Sequence, residues 1–482
     1  MRGLDIRKYA RRGSLGEREQ DELPRLEDLP FDIKDHILSL VEEPRDLLSF
    51  GLASKEWASM IIPVHTEYRE LRVYSSRPDV WKHLAARADL AKNIRTIRLM
   101  TAKDLSREIY PWTMAGTQSS ESSTGIHPLP EMLQAIKNFK SLRSFTWIGS
   151  GGHSEVTQDI FEVLAHCRML DELCLGQIFP RQDHLNPKAS IWKLRNLTKL
   201  IARGTMWASI QGVEDSFIAM LNESPNLEEL TISYNPTQPQ FTSCALRSLR
   251  KLHLWPEYSI SAPGGNLLSC DTLILDFLLS HSTIEDLRWY PVDQGLAAPL
   301  GILPSLKRIL TNHHLATALL RDKKLFRERK MMFISQVSLG PNTIQLFGQI
   351  DGSRLEEIHL WRFEGLDAIK RLAVLFPSIR TLSIPNFGRP FGDEVYTLDE
   401  CIDCLSRFPC LEAVFDCALW LAIEQFKNEE RLNAVTKLLT HCPRLKRLNH
   451  WKSSLNRDID IVFCKSGSQV SWQEVPNNED WV

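Results

Sequence analysis

The sequence predicts an α/β chain in two parts, a short N-terminal segment of three helices and then an irregular strand–helix solenoid curved into a horseshoe. Three observations predict it. Residues 26–63, LEDLPFDIKDHILSLVEEPRDLLSFGLASKEWASMIIP, carry apolar side chains at helical spacing between prolines. From residue 94 onward a six-residue pattern recurs: an apolar residue, two polar ones, an apolar one, any residue, and a third apolar one. Several copies follow a short segment that ends in Pro or Cys.

In the first part, Asp28 precedes Leu29-Pro30, and proline in a first helical turn costs no hydrogen bond. Ile33, Ile37 and Val41 follow at helical spacing, with Leu38 and Leu40 beside them. Glu43-Pro44 breaks that helix and starts the next, which carries Leu47, Leu48 and Leu52; Gly51 in its middle weakens it. Ser54 is an N-cap for a third helix with Trp57 and Ile61, closed by Pro63. A unit of roughly 40 residues cannot hide this much apolar surface alone. The surplus must face the rest of the chain or a partner.

Leu29-Pro30, Ile33, Ile37-Leu38, Pro44, Asp46-Leu47-Leu48, Leu52-Ala53-Ser54-Lys55 and Trp57 together resemble the F-box motif. The resemblance covers the span 26–63 of 482 residues. It implies docking on the adaptor subunit of an SCF-type E3 ubiquitin ligase and, through it, on cullin. Leu29, Pro30, Ile33, Ile37, Leu47, Leu48, Leu52 and Trp57 would then form or support the adaptor-facing surface. The plainer alternative is an amphipathic cap on a repeat scaffold that takes no part in ubiquitination.

The repeated pattern reads IRTIRL at 94, LRSFTW at 142, LDELCL at 170, LEELTI at 227, LRKLHL at 249, IEDLRW at 284, LEEIHL at 355 and IRTLSI at 379. Weaker copies are LTKLIA at 197, LKRILT at 306, LEAVFD at 411 and LKRLNH at 445. The arrangement resembles a leucine-rich repeat: a helix, a turn, then a short strand whose alternate residues enter a shared core. The spacing is irregular, and the long gap after 306 predicts a degenerate copy near Ile334 to Leu339. Asn235 is the clearest instance of the asparagine that follows the strand in that family, so the chain resembles the divergent repeats of fungal and plant F-box proteins. A HEAT-like solenoid would need longer amphipathic windows.

These readings divide the chain into a disordered basic tail (1–22), the F-box (23–65), linker helices capping the solenoid (66–92), the repeats (93–452), and a C-terminal hairpin cap and tail (453–482). A solenoid exposes its core at both ends, so both need closing. The hairpin, IDIVFCKSGSQVSWQEV, turns at Ser466-Gly467-Ser468. Residues 115–126, AGTQSSESSTGI, form a Ser/Thr/Gly-rich loop.

In each strand the second and third apolar positions point inward, so the residues just after them face the concave side. That phase selects Arg98, Thr146, His253, Trp255, Arg288, Tyr290, His359, Trp361, Asn449 and Trp451. Aromatic and arginine side chains dominate binding hot spots. A protein target is therefore expected on His253, Trp255, Arg288, Tyr290, His359 and Trp361. The alternative is that these rings pack on each other or under long loops.

Composition excludes other classes. Hydrophobic content of 43% and charged content of 24% are ordinary for a folded chain, and a net charge of −2 lacks the basic excess of a nucleic-acid binder. The first 20 residues have no apolar run, and LLSCDTLILDFLL at 267–279 is too short to span a bilayer, so no membrane role is expected. Ten scattered cysteines suit a reduced, cytoplasmic or nuclear setting. Cys401 and Cys404, with Cys410 and Cys417 downstream, read as buried small side chains and not as a zinc site. His313-His314 and His441-Cys442 lack ligand spacing. GSGGHS at 149–154 holds Ser150 and His153 but lacks a phosphate-loop lysine or a serine elbow; a hydrolase built on it is the weakest reading. RDKKLFRERK at 321–330 reads as a solvated helix face. Neither intrinsic catalysis nor a cofactor or metal is expected.

Overall fold

The structure is a computed structural model that describes residues 26–41, 44–62, 64–100, 108–111, 129–148, 154–176, 187–203, 212–234, 239–256, 268–291, 296, 302–311, 315, 333–348, 355–385, 387, 396–415, 418–452, 457–466 and 469–476. The expected tail 1–22, the loop 115–126, Asn235, Ser150, His153, His313-His314, the basic run 321–330 and Cys417 lie outside the described residues. The chain divides into two compact units between Arg69 and Glu70.

The first unit holds helices α1 (Phe31–Leu40), α2 (Pro44–Ala53), α3 (Lys55–Ile61) and α4 (Val64–Glu67). Pro30 is the N-cap of α1, one residue before the first turn in which the sequence reading sets it. Its carbonyl accepts from the Lys34 N–H at 3.0 Å. The Ser54 hydroxyl accepts from the Trp57 N–H at 3.2 Å and caps α3. Leu38, Leu47, Trp57, Met60 and Ile61 form the core, with Val41 and Phe50 against it. Phe50 meets Trp57 edge-on at 5.5 Å. Arg69 donates to the carbonyls of Leu38 (2.6 Å) and Val41 at the end of α1, where the Leu38 carbonyl also accepts from the Val41 N–H at 3.2 Å.

The second unit is built on one 16-stranded sheet whose strand order follows the chain. Its strands are β1 (Glu70–Tyr74), β2 (Thr96–Met100), β3 (Ser144–Ile148), β4 (Glu172–Gly176), β5 (Lys199–Arg203), β6 (Glu229–Tyr234), β7 (Lys251–Pro256) and β8 (Asp286–Arg288). They continue as β9 (Arg308–Leu310), β10 (Phe333–Leu339), β11 (Glu357–Phe363), β12 (Thr381–Ser383), β13 (Ala413–Phe415), β14 (Arg447–Lys452), β15 (Arg457–Ser466) and β16 (Gln469–Pro476). β1 to β14 pair in parallel, and β14 to β16 are antiparallel. This is a strand–helix repeat solenoid.

Its register explains the sequence pattern. The middle apolar residue of each copy lines up with the next: Ile97, Phe145, Leu173, Leu200, Leu230, Leu252, Leu287 and Ile309 are successive partners. All of these side chains are buried. The strands from β3 to β9 and from β12 to β14 are each started by a fork. The N–H groups of Glu228 and Glu229 both donate to the Thr198 carbonyl (2.8 and 3.1 Å), and those of Arg250 and Lys251 to the Glu228 carbonyl (2.8 and 2.9 Å). The two polar positions of the pattern therefore set the register, and the apolar ones fill the core.

Two differences from the sequence reading concern the start and middle of the ladder. Residues 66–92 are not wholly helical: β1 lies within them, in register with β2, before the helices Pro78–Ala86 and Ala88–Ala91. Tyr68 stands in the sequence where other copies carry Leu or Ile, which hid this copy. The degenerate copy near 334–339 is β10, whose pairing with β11 shifts register between Ile334 and Ser338.

Both ends of the sheet are dressed. Arg72 and Ile109 exchange backbone hydrogen bonds of 2.8 and 2.9 Å on β1. At the other end the hairpin of β15 and β16 continues the sheet; Trp420 packs edge-on against Trp472 at 5.7 Å. Buried Asp460 on β15 accepts from Arg447 (3.1 Å) and Asn449 (3.2 Å) on β14.

Candidate functional site

The outward face of the sheet is laid down by the two-residue period of its strands. On β7, Leu252 and Leu254 are buried while Lys251, His253 and Trp255 alternate with them and reach the outer side. From β4 to β9 the first residues alternate in charge: Glu172, Lys199, Glu229, Lys251, Asp286 and Arg308. Glu229 pairs with Lys199 (3.3 Å) and Lys251 (2.9 Å), and Arg308 pairs with Asp286 (3.8 Å) and Glu357 (3.4 Å). Opposite charges on neighbouring strands each add a few tenths to ~1 kcal/mol. Burial opposes ionisation of Glu229, but Lys251 and Lys199 more than offset it, holding its carboxyl below the ordinary range.

Trp255 is the centre of the face. The guanidinium carbon of Arg288 lies 3.4 Å from its ring centroid and that of Arg203 lies 4.1 Å away. Two guanidiniums this close to one centroid cannot share a ring face, so the indole stands between them. Strand order agrees, since Arg203 is on β5 and Arg288 on β8, with β7 between. Arg288 is also 5.8 Å from the Tyr290 ring. Each cation–π contact contributes about 0.5–2 kcal/mol, more as it is desolvated. Burial lowers the Arg288 pKa, Tyr290 opposes that shift and Arg203 adds to it as a like charge. Next to this group the His253 Nε2 is 3.3 Å from Asp286 Oδ1, and burial pushes the imidazole below its ordinary value.

Of the six residues expected to hold a target, His253, Trp255, Arg288 and Tyr290 therefore come together on β7, β8 and the residues just after β8. His359 and Trp361 do not join them. They lie on β11, three strands and roughly 14 Å further along at ordinary strand spacing. There His359 contacts Glu357 at 3.0 Å and meets Phe333 edge-on, while Trp361 is 61% exposed. Arg98 and Thr146 are partly buried on the same face. Asn449 is buried on Asp460 and serves the hairpin, and the Trp451 side chain lies outside the described set. Sequence reading missed Arg203. Its signal was the residue after the third apolar position of LTKLIA, a copy read as weak.

In the first unit the eight motif residues separate into two groups. Leu47 (1% exposed) and Trp57 (3%) are core, so of the two roles the resemblance implies, forming or supporting a surface, burial is compatible with support. Leu29 and Ile37 are partly buried, while Pro30, Ile33, Leu48 and Leu52 are exposed, Leu52 by 88%. Helical phase accounts for this. Lys34, Leu38 and Val41 share the inner stripe of α1, and Ile33, Ile37 and Leu40 the neighbouring outer one. On α2, Leu48 and Leu52 are one turn apart, off the Leu47 stripe. Phe31 (68%) and Leu40 are exposed as well, and sequence reading did not single them out as site residues.

Cys401 and Cys404 are buried in the helix Leu398–Ser406, and burial raises the Cys404 thiol to about 12. Among the described residues no group of three or more His, Cys, Asp or Glu could hold a metal ion, and no helix is long and apolar enough to cross a membrane.

No protein-family model and no curated protein matches the sequence. Two solved structures are similar in part. One, of the Rad7 and Elc1 complex in yeast, is 11% identical and covers 76% of this chain and 91% of that chain, with a TM-score of 0.37. The other, of the TLR13–ssRNA13 complex, is 14% identical and covers 76% of this chain and 65% of that one, with a TM-score of 0.21.

Proposed function

We propose that this chain is the substrate-recognition subunit of an SCF-type E3 ubiquitin ligase, a leucine-rich-repeat F-box protein acting in the cytoplasm or nucleus. The observation that carries the reading is the apolar surface of the first unit. Of the 15 large hydrophobic side chains exposed among the described residues, seven (Leu26, Phe31, Ile33, Leu40, Leu48, Leu52 and Ile62) fall within residues 26–62. Exposed apolar surface gathered in this way marks an interaction site. Its coincidence with the Leu29-Pro30, Asp46-Leu47-Leu48 and Ser54-Lys55-x-Trp57 spacing supports the SCF adaptor, and through it cullin, as the partner.

The outer face of the repeats then takes a protein target. The subunit itself is not catalytic; it raises the effective concentration of a target lysine near the charged conjugating enzyme. The experiment is co-purification of the full chain with the SCF adaptor and cullin. Capture of both by wild type, and of neither by Leu48→Asp/Leu52→Asp, is the expected result. No capture by wild type leaves a repeat scaffold outside ubiquitination.

A further inference from the structure

The group around Trp255 carries more hydrogen-bonding capacity than its own neighbours use. The Trp255 Nε1, the Arg288 Nε and the Thr231 Oγ1 are all buried with no hydrogen-bond partner. Thr231 is 1% exposed and sits on β6 in register with His253, which is in register with Arg288. A buried donor left unmade costs about 1–3 kcal/mol, and three on adjacent strands mark a place prepared for an acceptor. The charges agree. Arg203 and Arg288 flank one indole, and the nearest carboxylate along the Arg288 strand, Asp286, is shared with His253 and Arg308.

We propose that Arg203, Trp255, Arg288 and Thr231 form a subsite for a carboxylate, supplied by an acidic side chain of an extended segment of the protein target. The proposal rests on the reading of the outer face as a target-binding surface. The carboxylate is planar and accepts from more than one donor at once, as the Arg288 edge and the indole N–H require. Removing the ring would release both guanidiniums from their stacked positions, so Trp255 positions the two arginines as well as donating to the ligand.

The test uses the full chain and a fluorescein-labelled peptide of alternating glutamate and glycine, followed by fluorescence anisotropy. Wild type binds, and the glutamine counterpart of the peptide does not. Arg288→Gln and, separately, Arg203→Gln each weaken binding at least tenfold. Trp255→Phe keeps a ring face and loses the N–H, and it weakens binding as well. Lys370→Gln, at an ion pair with Asp403 elsewhere in the unit, leaves affinity unchanged. Equal binding by wild type and both arginine variants overturns the subsite. So does equal binding of the glutamine peptide, or binding of a phosphoserine peptide alone. Adaptor capture is read in the same samples. Capture without peptide binding overturns the subsite and leaves the ligase reading intact, whereas peptide binding without capture does the reverse.

Discussion

The backbone N–H of Leu246 donates to the Nε2 of His281 at 3.0 Å. Nε2 is therefore the acceptor, and Nδ1 carries the proton and donates to the Phe277 carbonyl at 2.7 Å. The ring is stacked on Phe277 with centroids 3.9 Å apart. A neutral imidazole thus ties two successive repeats together, and protonation at Nε2 would remove its acceptor.

The pH dependence follows from the sign of the shift. Burial pushes the His281 pKa below its ordinary value, with the bond to the Phe277 carbonyl opposing. The unfolded chain then binds the proton more readily than the folded one. Stability is complete above the ordinary histidine value and is lost as pH falls through the folded one. Urea midpoints measured between about pH 7.5 and 5.5 should fall for wild type and fall less for His281→Gln. Identical slopes in the two proteins would rule out this role.

The inward ladder predicts a steep core cost. Leu252 is fully buried between Leu230 and Leu287 on neighbouring strands. Leu252→Ala should destabilise by about 2–5 kcal/mol, because a closed sheet interior relaxes little around the cavity. Leu273→Ala, on an exposed helix position, should change stability by under about 0.5 kcal/mol. Chemical denaturation of both variants checks the contrast, and similar losses would contradict the register.

At Gly51 an added Cβ would lie 3.8 Å from Ile61 and 3.9 Å from Ala58, ordinary contact distances. Gly51→Ala should therefore stabilise α2 by up to about 1 kcal/mol through helix propensity alone. Thermal unfolding measures it, and a lower midpoint would show that the packing does not admit the methyl.

Trp361 tests the outer phase. Because the ring is largely exposed, Trp361→Ala should leave the unfolding free energy from urea denaturation within about 0.5 kcal/mol of wild type. A loss of folding would place the ring in the core instead.

Much of this fold was legible because the pattern has a local physical cause. The apolar, polar, polar, apolar order states the strand phase directly, and apart from the degenerate copy at β10 every copy from IRTIRL onward begins its strand two residues in. What escaped was set by contacts between copies. Tyr68 hid the first copy because an aromatic ring replaced an aliphatic one. Arg203 was passed over because it follows a copy read as weak, and its significance lies in Trp255, 52 positions away and two strands over. In the first unit the motif names residue types but not depth. Leu47 and Leu48 are neighbours in sequence, one in the core and one outside, and only the helix phase separates them.

The central claim is that the exposed apolar residues of 26–62 dock on an SCF adaptor. Isothermal titration of the purified adaptor into the full chain tests it most directly. The account predicts saturable binding by wild type, and a loss of at least about 100-fold for Leu48→Asp/Leu52→Asp with the urea midpoint unchanged, since each buried leucine contributes about 1.5–3 kcal/mol. No heat with wild type, or equal affinity for the double variant, would contradict it.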